Sequence, residues 1–196
     1  MNQPLYAPLP FSVEFEGKKY KLKPFYDNVL ETFSVFHDPG LSDYDKVSYC
    51  LWLLVKDRHP VNGELLNAVY DVLIEKPKSA GDGPKSFDFT QDAAYIYAGF
   101  KQAYGIDLYA ERGKIHWWKF IALFGGLPEN TRIREIMSIR TREIPAATKY
   151  NGQEIAQLIK LKQQYSLIIS EEEREEQFQK GLQKIAKGIM SMGQGG

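Results

Sequence analysis

Apolar and polar positions alternate between Phe11 and Leu22: Phe11, Val13 and Phe15 precede Glu16-Gly17, and Tyr20 and Leu22 follow. A period of two with a glycine at the reversal predicts a β-hairpin with one apolar face over about residues 11–23. An isolated hairpin is marginal in water, so that face should rest on whatever follows. It reads either as a lid sealing the core or as an edge strand for self-association or partner pairing. Lys18, Lys19, Lys21 and Lys23 leave the choice open, because lysines often protect strand edges from pairing.

After Pro24 the period becomes helical. A segment from about Phe25 to Phe36 ends at His37-Asp38-Pro39-Gly40. A second starts at Ser42, a cap residue, and carries Tyr44, Val47, Leu51, Leu54 and Val55 at helical spacing. Cys50, Trp52 and Leu53 add apolar surface beyond that stripe, which predicts a central, extensively covered helix. A third runs from about Gly63 to Glu75, capped by Asn62, with Leu65, Leu66, Val69 and Leu73 inward. Residues 76–87, mostly KPKSAGDGPKS, have the composition of a mobile surface loop.

The second half is richer in aromatics. Asp88 with Gln91 fits a capping arrangement that opens a helix to Tyr104, with Ala93, Tyr97, Phe100 and Tyr104 on one face and Gly105 ending it in the left-handed conformation. Ala94 and Gly99 leave room for a close neighbour. Ile106 and Leu108 flank Asp107 in a short extended connection. From Ile115 to Phe124, Trp117, Phe120, Ile121 and Phe124 line a buried side, while Trp118 lies partly around the circumference as a potential contact. Gly125-Gly126 stops that helix. Asn130 or Thr131 caps the next, with Ile133, Ile136 and Met137 inward and Arg132, Arg134, Arg140 and Arg142 around it.

Beyond Pro145 a helix is predicted from about Thr148 to Ile168, carrying Ile155, Leu158, Ile159, Leu161 and Tyr165. Ser170 and Glu173 form a capping-box pattern that starts a last helix, with acids early and lysines late as the helix dipole favours. Its Phe178, Leu182, Ile185, Ile189 and Met192 recur at steps of four and three, a narrow seam suited to another helix. The helix either folds back on the body or projects to bind a second copy or a helical partner. The expected organisation is a mainly α, bundle-like domain over residues 1–169 with a small N-terminal hairpin, followed by an amphipathic helix and frayed tail over 170–196.

Composition narrows the function classes. The 196 residues hold 25 basic and 25 acidic side chains, so no global field attracts nucleic acid or an anionic membrane. Arginines near residues 132–142 keep a helix-turn-helix reading of 115–140 in view, but Glu129, Glu135 and Glu143 lie among them and disfavour it. One cysteine, Cys50, precludes an intramolecular disulfide, and its apolar neighbours predict a buried, inert thiol in a reducing compartment. The N-terminal residues have neither the basic start nor the apolar run of a signal peptide or anchor, so the cytoplasm of the cell that makes the protein is the expected location.

Catalytic chemistry finds little support. His37, His59 and His116 lack metal-ligand spacing, no serine lies in a nucleophile elbow, and FGGLPENT lacks a phosphate-loop lysine. Asp88 with Asp92 amounts to a cap plus a solvated helix position. No catalytic residue, metal or cofactor is expected.

A specific resemblance supplies the rest. Gln91-Asp92-Ala93, Tyr97, Phe100, Tyr104-Gly105-Ile106-Asp107-Leu108, His116-Trp117-Trp118-Lys119-Phe120, Leu123, Gly126-Leu127 and Ile136-Met137-Ser138-Ile139-Arg140 resemble the phage gene-product-fifteen family of phages and prophages of Gram-positive bacteria. Genes of that family usually lie in the tail module, just before the tape-measure gene. The resemblance therefore implies a non-catalytic tail assembly chaperone whose partner is the tape-measure protein, and possibly other tail proteins or further copies of itself. A structural tail or connector component forming a ring in the virion is the alternative, and a nucleic-acid-binding accessory protein is a third. The sequence offers as candidate contact residues Phe178, Leu182, Ile185 and Ile189 of the terminal seam, together with Trp118, Arg132 and Arg134.

Overall fold

A computed structural model describes residues 5–74 and 85–168. They form a mainly α protein with a small N-terminal hairpin: β1 (Ser12–Phe15), β2 (Lys18–Lys21), α1 (Tyr26–Phe36), α2 (Asp43–Leu54), α3 (Gly63–Leu73), α4 (Ala93–Tyr104), α5 (Trp117–Gly125), α6 (Arg132–Thr141) and α7 (Gly152–Gln164). The expected loop residues 76–84, the terminal seam and the Ser170 capping box lie outside the described residues.

The hairpin turns through Glu16 and Gly17, both at positive φ (48° and 72°). Two such residues match the right-handed twist of the strands they join. Val13 lies opposite Tyr20 across the pair, and both are buried with Leu22. The hairpin therefore seals the core, with α3 against β1. Phe11, expected on the same face, is half exposed and meets the His116 ring edge-on at 5.2 Å.

Residues just beyond the hairpin are stitched to chain on both sides. Lys23 N–H donates to Leu54 O at 2.7 Å and Lys56 N–H to Lys21 O at 2.8 Å; Trp117 N–H donates to Pro24 O at 2.7 Å and Tyr26 N–H to Ile115 O at 3.0 Å. These bonds satisfy backbone groups that no helix or hairpin covers.

Local signals place the helix starts. Ser42 Oγ accepts from Asp45 N–H, and Asn62 accepts from Glu64 and Leu65 N–H. His116 caps α5, its ring accepting from Trp118 N–H. Thr131 stands at the N-cap of α6, but its hydroxyl donates back to Pro128 O at 2.7 Å instead of capping.

The centre of the core is aromatic. Phe120 stacks with Tyr26 at 4.8 Å and Phe100 at 5.1 Å between ring centroids, and Phe89 and Trp117 pack beside it. Such pairs add about 0.5–1.5 kcal/mol each beyond the area they bury. Tyr26 hydroxyl donates to Leu108 O, and burial pushes its phenol up to about 12. Cys50 is fully buried, and the same desolvation raises its thiol, which leaves it unreactive. Gly99 permits the approach of α4 to α6: a Cβ there would lie 3.3 Å from Ile133 Cγ2 and from Leu127 Cδ1.

Several expectations about individual positions are corrected. Helix α4 begins at Ala93, because Asp88 caps a preceding turn through Thr90 and Gln91 N–H. Ala93 is exposed and Ile96 takes the buried place. In α2 only the Cys50, Leu51, Leu53 and Leu54 end is buried, whereas Tyr44 and Trp52 face outward. The segment predicted as helix over 148–168 is helical only from Gly152 to Gln164.

Candidate functional site

The region where α6, α7 and the start of α4 meet gathers most of the polar structure near the arginines singled out by sequence. Arg140 leaves the last turn of α6 and is tucked inside, its side chain only 6% exposed. Its Nη1 and Nη2 donate to Asp92 Oδ2 and Oδ1 at 2.6 and 2.9 Å, Nη1 also reaches Ser86 O at 3.1 Å, and Nε donates to Tyr165 O at 2.6 Å. Asp92 is 1% exposed and accepts a further bond from Asp88 N–H. The planar guanidinium fork suits such a bidentate partner. Asp92 is thus the buried half of an ion pair and not a solvated helix position.

This hub holds the far end of α7. Lys162 Nζ donates to Arg140 O at 2.7 Å. Gln91, expected to reach back to its own cap, instead donates to Ser166 O at 2.9 Å and accepts from Ile168 N–H at 2.8 Å. A small second cluster of Ile136, Ile139 and Tyr165 lies beneath, with Tyr95 and Leu161 against it. Leu158 and Tyr165 are the buried residues of α7 and its cap. The connector before α7 behaves oppositely: Thr141 through Tyr150 are all exposed.

Arg132 is engaged at its tip. It pairs with Glu135 at 2.6 Å, donates to Tyr165 hydroxyl, and lies 5.2 Å from the Tyr165 ring centroid. Arg134, Arg142, Glu129, Met137 and Ser86 line an open groove of about 570 Å³ beside the hub. Trp118, on α5, is half buried and donates its indole N–H to Leu73 O at 2.7 Å, which braces α5 against the end of α3. The structure therefore sets Arg132 against Tyr165 and Arg134 along the groove, two positions apart on α6 and on different sides of it, and keeps Trp118 on another element. Phe178, Leu182, Ile185 and Ile189 lie outside the described residues.

A surface that sequence reading overlooked lies on α2. Trp52 is 61% exposed, pairs with exposed Tyr49 at 5.6 Å, and carries the Lys23 ammonium 5.2 Å above its ring. Tyr49 hydroxyl donates to Glu31 at 2.9 Å. The available signal was register: Trp52 falls beside the Val47, Leu51 and Leu54 stripe and not within it. Trp and Tyr are enriched among the residues that carry most of the binding energy at protein interfaces.

Among the described residues no group of three or more His, Cys, Asp and Glu side chains could hold a metal ion, and no helix is long and apolar enough to cross a membrane. No curated protein and no solved structure matches the chain. The sequence profile described as Bacteriophage Gp15 protein matches residues 5–167, which spans both the hairpin and the Arg140 hub, and the chain belongs to that phage family.

Proposed function

We propose that this phage protein is a non-catalytic tail assembly chaperone that shields apolar stripes of the tape-measure protein until tail-tube subunits enclose them. The observation that carries the reading is the family match over residues 5–167, joined to the position before the tape-measure gene that the family resemblance implies. Two features have the make-up of protein contacts. The Trp52–Tyr49 pair is exposed, and the terminal seam of Phe178, Leu182, Ile185 and Ile189 has the spacing of a helix-binding stripe. Burial of a few such anchors at about 25 cal/mol per Å² gives useful yet reversible affinity once association costs are subtracted.

The arginines fit nucleic acid less well than their number suggests. Arg140 is internal and Arg132 is occupied by Glu135 and Tyr165, which leaves Arg134 and Arg142 beside Glu129. Phosphate binding would need several free cations on one face.

Co-expression with the tape-measure protein of the same genome tests the proposal, comparing the full chain, a form ending at Ile169, and Trp52→Ala. Capture that depends on the last segment places the contact on the seam, and capture lost with Trp52→Ala places it on α2. No capture by the full chain while the tape-measure protein stays soluble would sink the chaperone reading.

A further inference from the structure

We infer that α7 is an exchangeable arm, able to dock on α6 of a second copy of this chain through the contacts it makes on its own. Three observations lead there. The arm's hydrogen bonds to the body cluster at its far end, where Tyr165, Ser166 and Ile168 meet Arg140 and Gln91. The stretch from Thr141 to Tyr150 is exposed throughout, and the side chains of its latter part bond within it: Asn151 accepts from Thr148 N–H and donates to Ala146 O. The connector therefore contributes tethering and little binding. Finally, that connector displays Ile144 at 49% and Tyr150 at 94% exposure, two large apolar side chains that a single copy leaves in water.

Exchange resolves all three. An identical α6 face on a neighbour offers Arg140, Ile136 and Ile139, and the turn before its α4 offers Gln91, in the same arrangement, so each docking contact is reproduced in the new pairing. Two connectors crossing between copies would run side by side and bury Ile144 and Tyr150 against each other, an interface that exists only in the exchanged form. A connector of this length extends to about 30 Å. In a single copy it presents the arm to its own α6 at about millimolar effective concentration. Copies must therefore be crowded before exchange competes.

Sedimentation velocity on the full chain, up to about 1 mM, tests this. Dimers or closed rings should form toward the top of that range. Ile144→Ser with Tyr150→Ser should weaken their formation about tenfold while leaving the circular dichroism of the monomer unchanged. Deleting residues 144–149 should prevent the arm from reaching its own α6 and drive stable oligomers at micromolar concentration, with the arm still resistant to protease. A full chain that stays monomeric throughout overturns the inference. So does a shortened chain that remains monomeric with its arm cleaved rapidly, because the arm has then lost one dock without finding another. The inference stands apart from the chaperone proposal, which is read by capture of a different protein.

Discussion

Asp92 and Arg140 face each other across the junction of α4 and α6 with both carboxylate oxygens and both terminal guanidinium nitrogens engaged, at 2.6 and 2.9 Å. With both side chains almost wholly buried, neither can be removed without stranding the other. Asp92→Ala should cost about 3–5 kcal/mol in urea unfolding, a large share of the stability of an ordinary domain. The double substitution Asp92→Leu with Arg140→Met should be less destabilising than either single truncation, since no charge is then left buried alone. A double variant as unstable as the sum of the singles would show that the hub's backbone contacts, and not the ion pair, dominate.

His116 gives a pH dependence with a definite direction. The ring is buried, its Nδ1 accepts from Trp118 N–H at 3.0 Å and its Nε2 faces Pro10 O at 3.1 Å, the pattern of a neutral imidazole. Burial lowers its pKa below the ordinary 6.5. The unfolded chain therefore takes up a proton first as pH falls. The stabilisation is complete above about pH 6.5 and is lost as pH drops through the folded-state value. Thermal unfolding should show a falling midpoint from about pH 7 to 5, and His116→Asn, which keeps a cap acceptor but cannot titrate, should flatten that slope. Equal slopes for the two proteins would assign the effect elsewhere.

Tyr70 presents the opposite case, a polar atom with little to lose. Its hydroxyl is buried near Thr32 and Cys50 without a hydrogen bond of good geometry, and burial raises its pKa well above the usual phenol range. Its ring packs against Phe36 at 5.9 Å. Tyr70→Phe keeps the ring and deletes the unsatisfied oxygen, so stability should hold or rise by up to about 1 kcal/mol. A loss larger than that in urea unfolding would mean the hydroxyl has a partner in solution.

What the sequence made legible was local. Ser42, Asn62 and Gly105 act within a turn of the helices they bound, so their roles follow from a few neighbouring residues, and each holds in the structure. The Val13–Tyr20 pair and the Phe120 cluster follow from periodicity, which marks the faces that must leave water. The hub did not show itself because its members are distant in sequence: Asp92 and Arg140 are 48 positions apart, and Gln91 and Ile168 are 77 apart. Each reads singly as an ordinary polar residue. Pattern alone also treated Trp52 as cover for the core, since an apolar side chain carries no mark of which face it takes when its helix is buried only toward one end.

The paired segment from Lys21 to Tyr26 has a bearing on the order in which the chain takes shape as it leaves the ribosome. Its first half can close on Leu54 and Lys56 once α2 has emerged, while its second half must wait for Ile115 and Trp117. Contacts of such wide sequence separation form late, because the intervening loop must be closed first. Until α5 emerges, Tyr26 lacks its stacking partner Phe120 and Phe33 lacks the ring of Trp117, so that side of α1 stays unmatched. The nascent first half is thus an apolar surface in waiting, and the arrival of a single helix from the second half completes it.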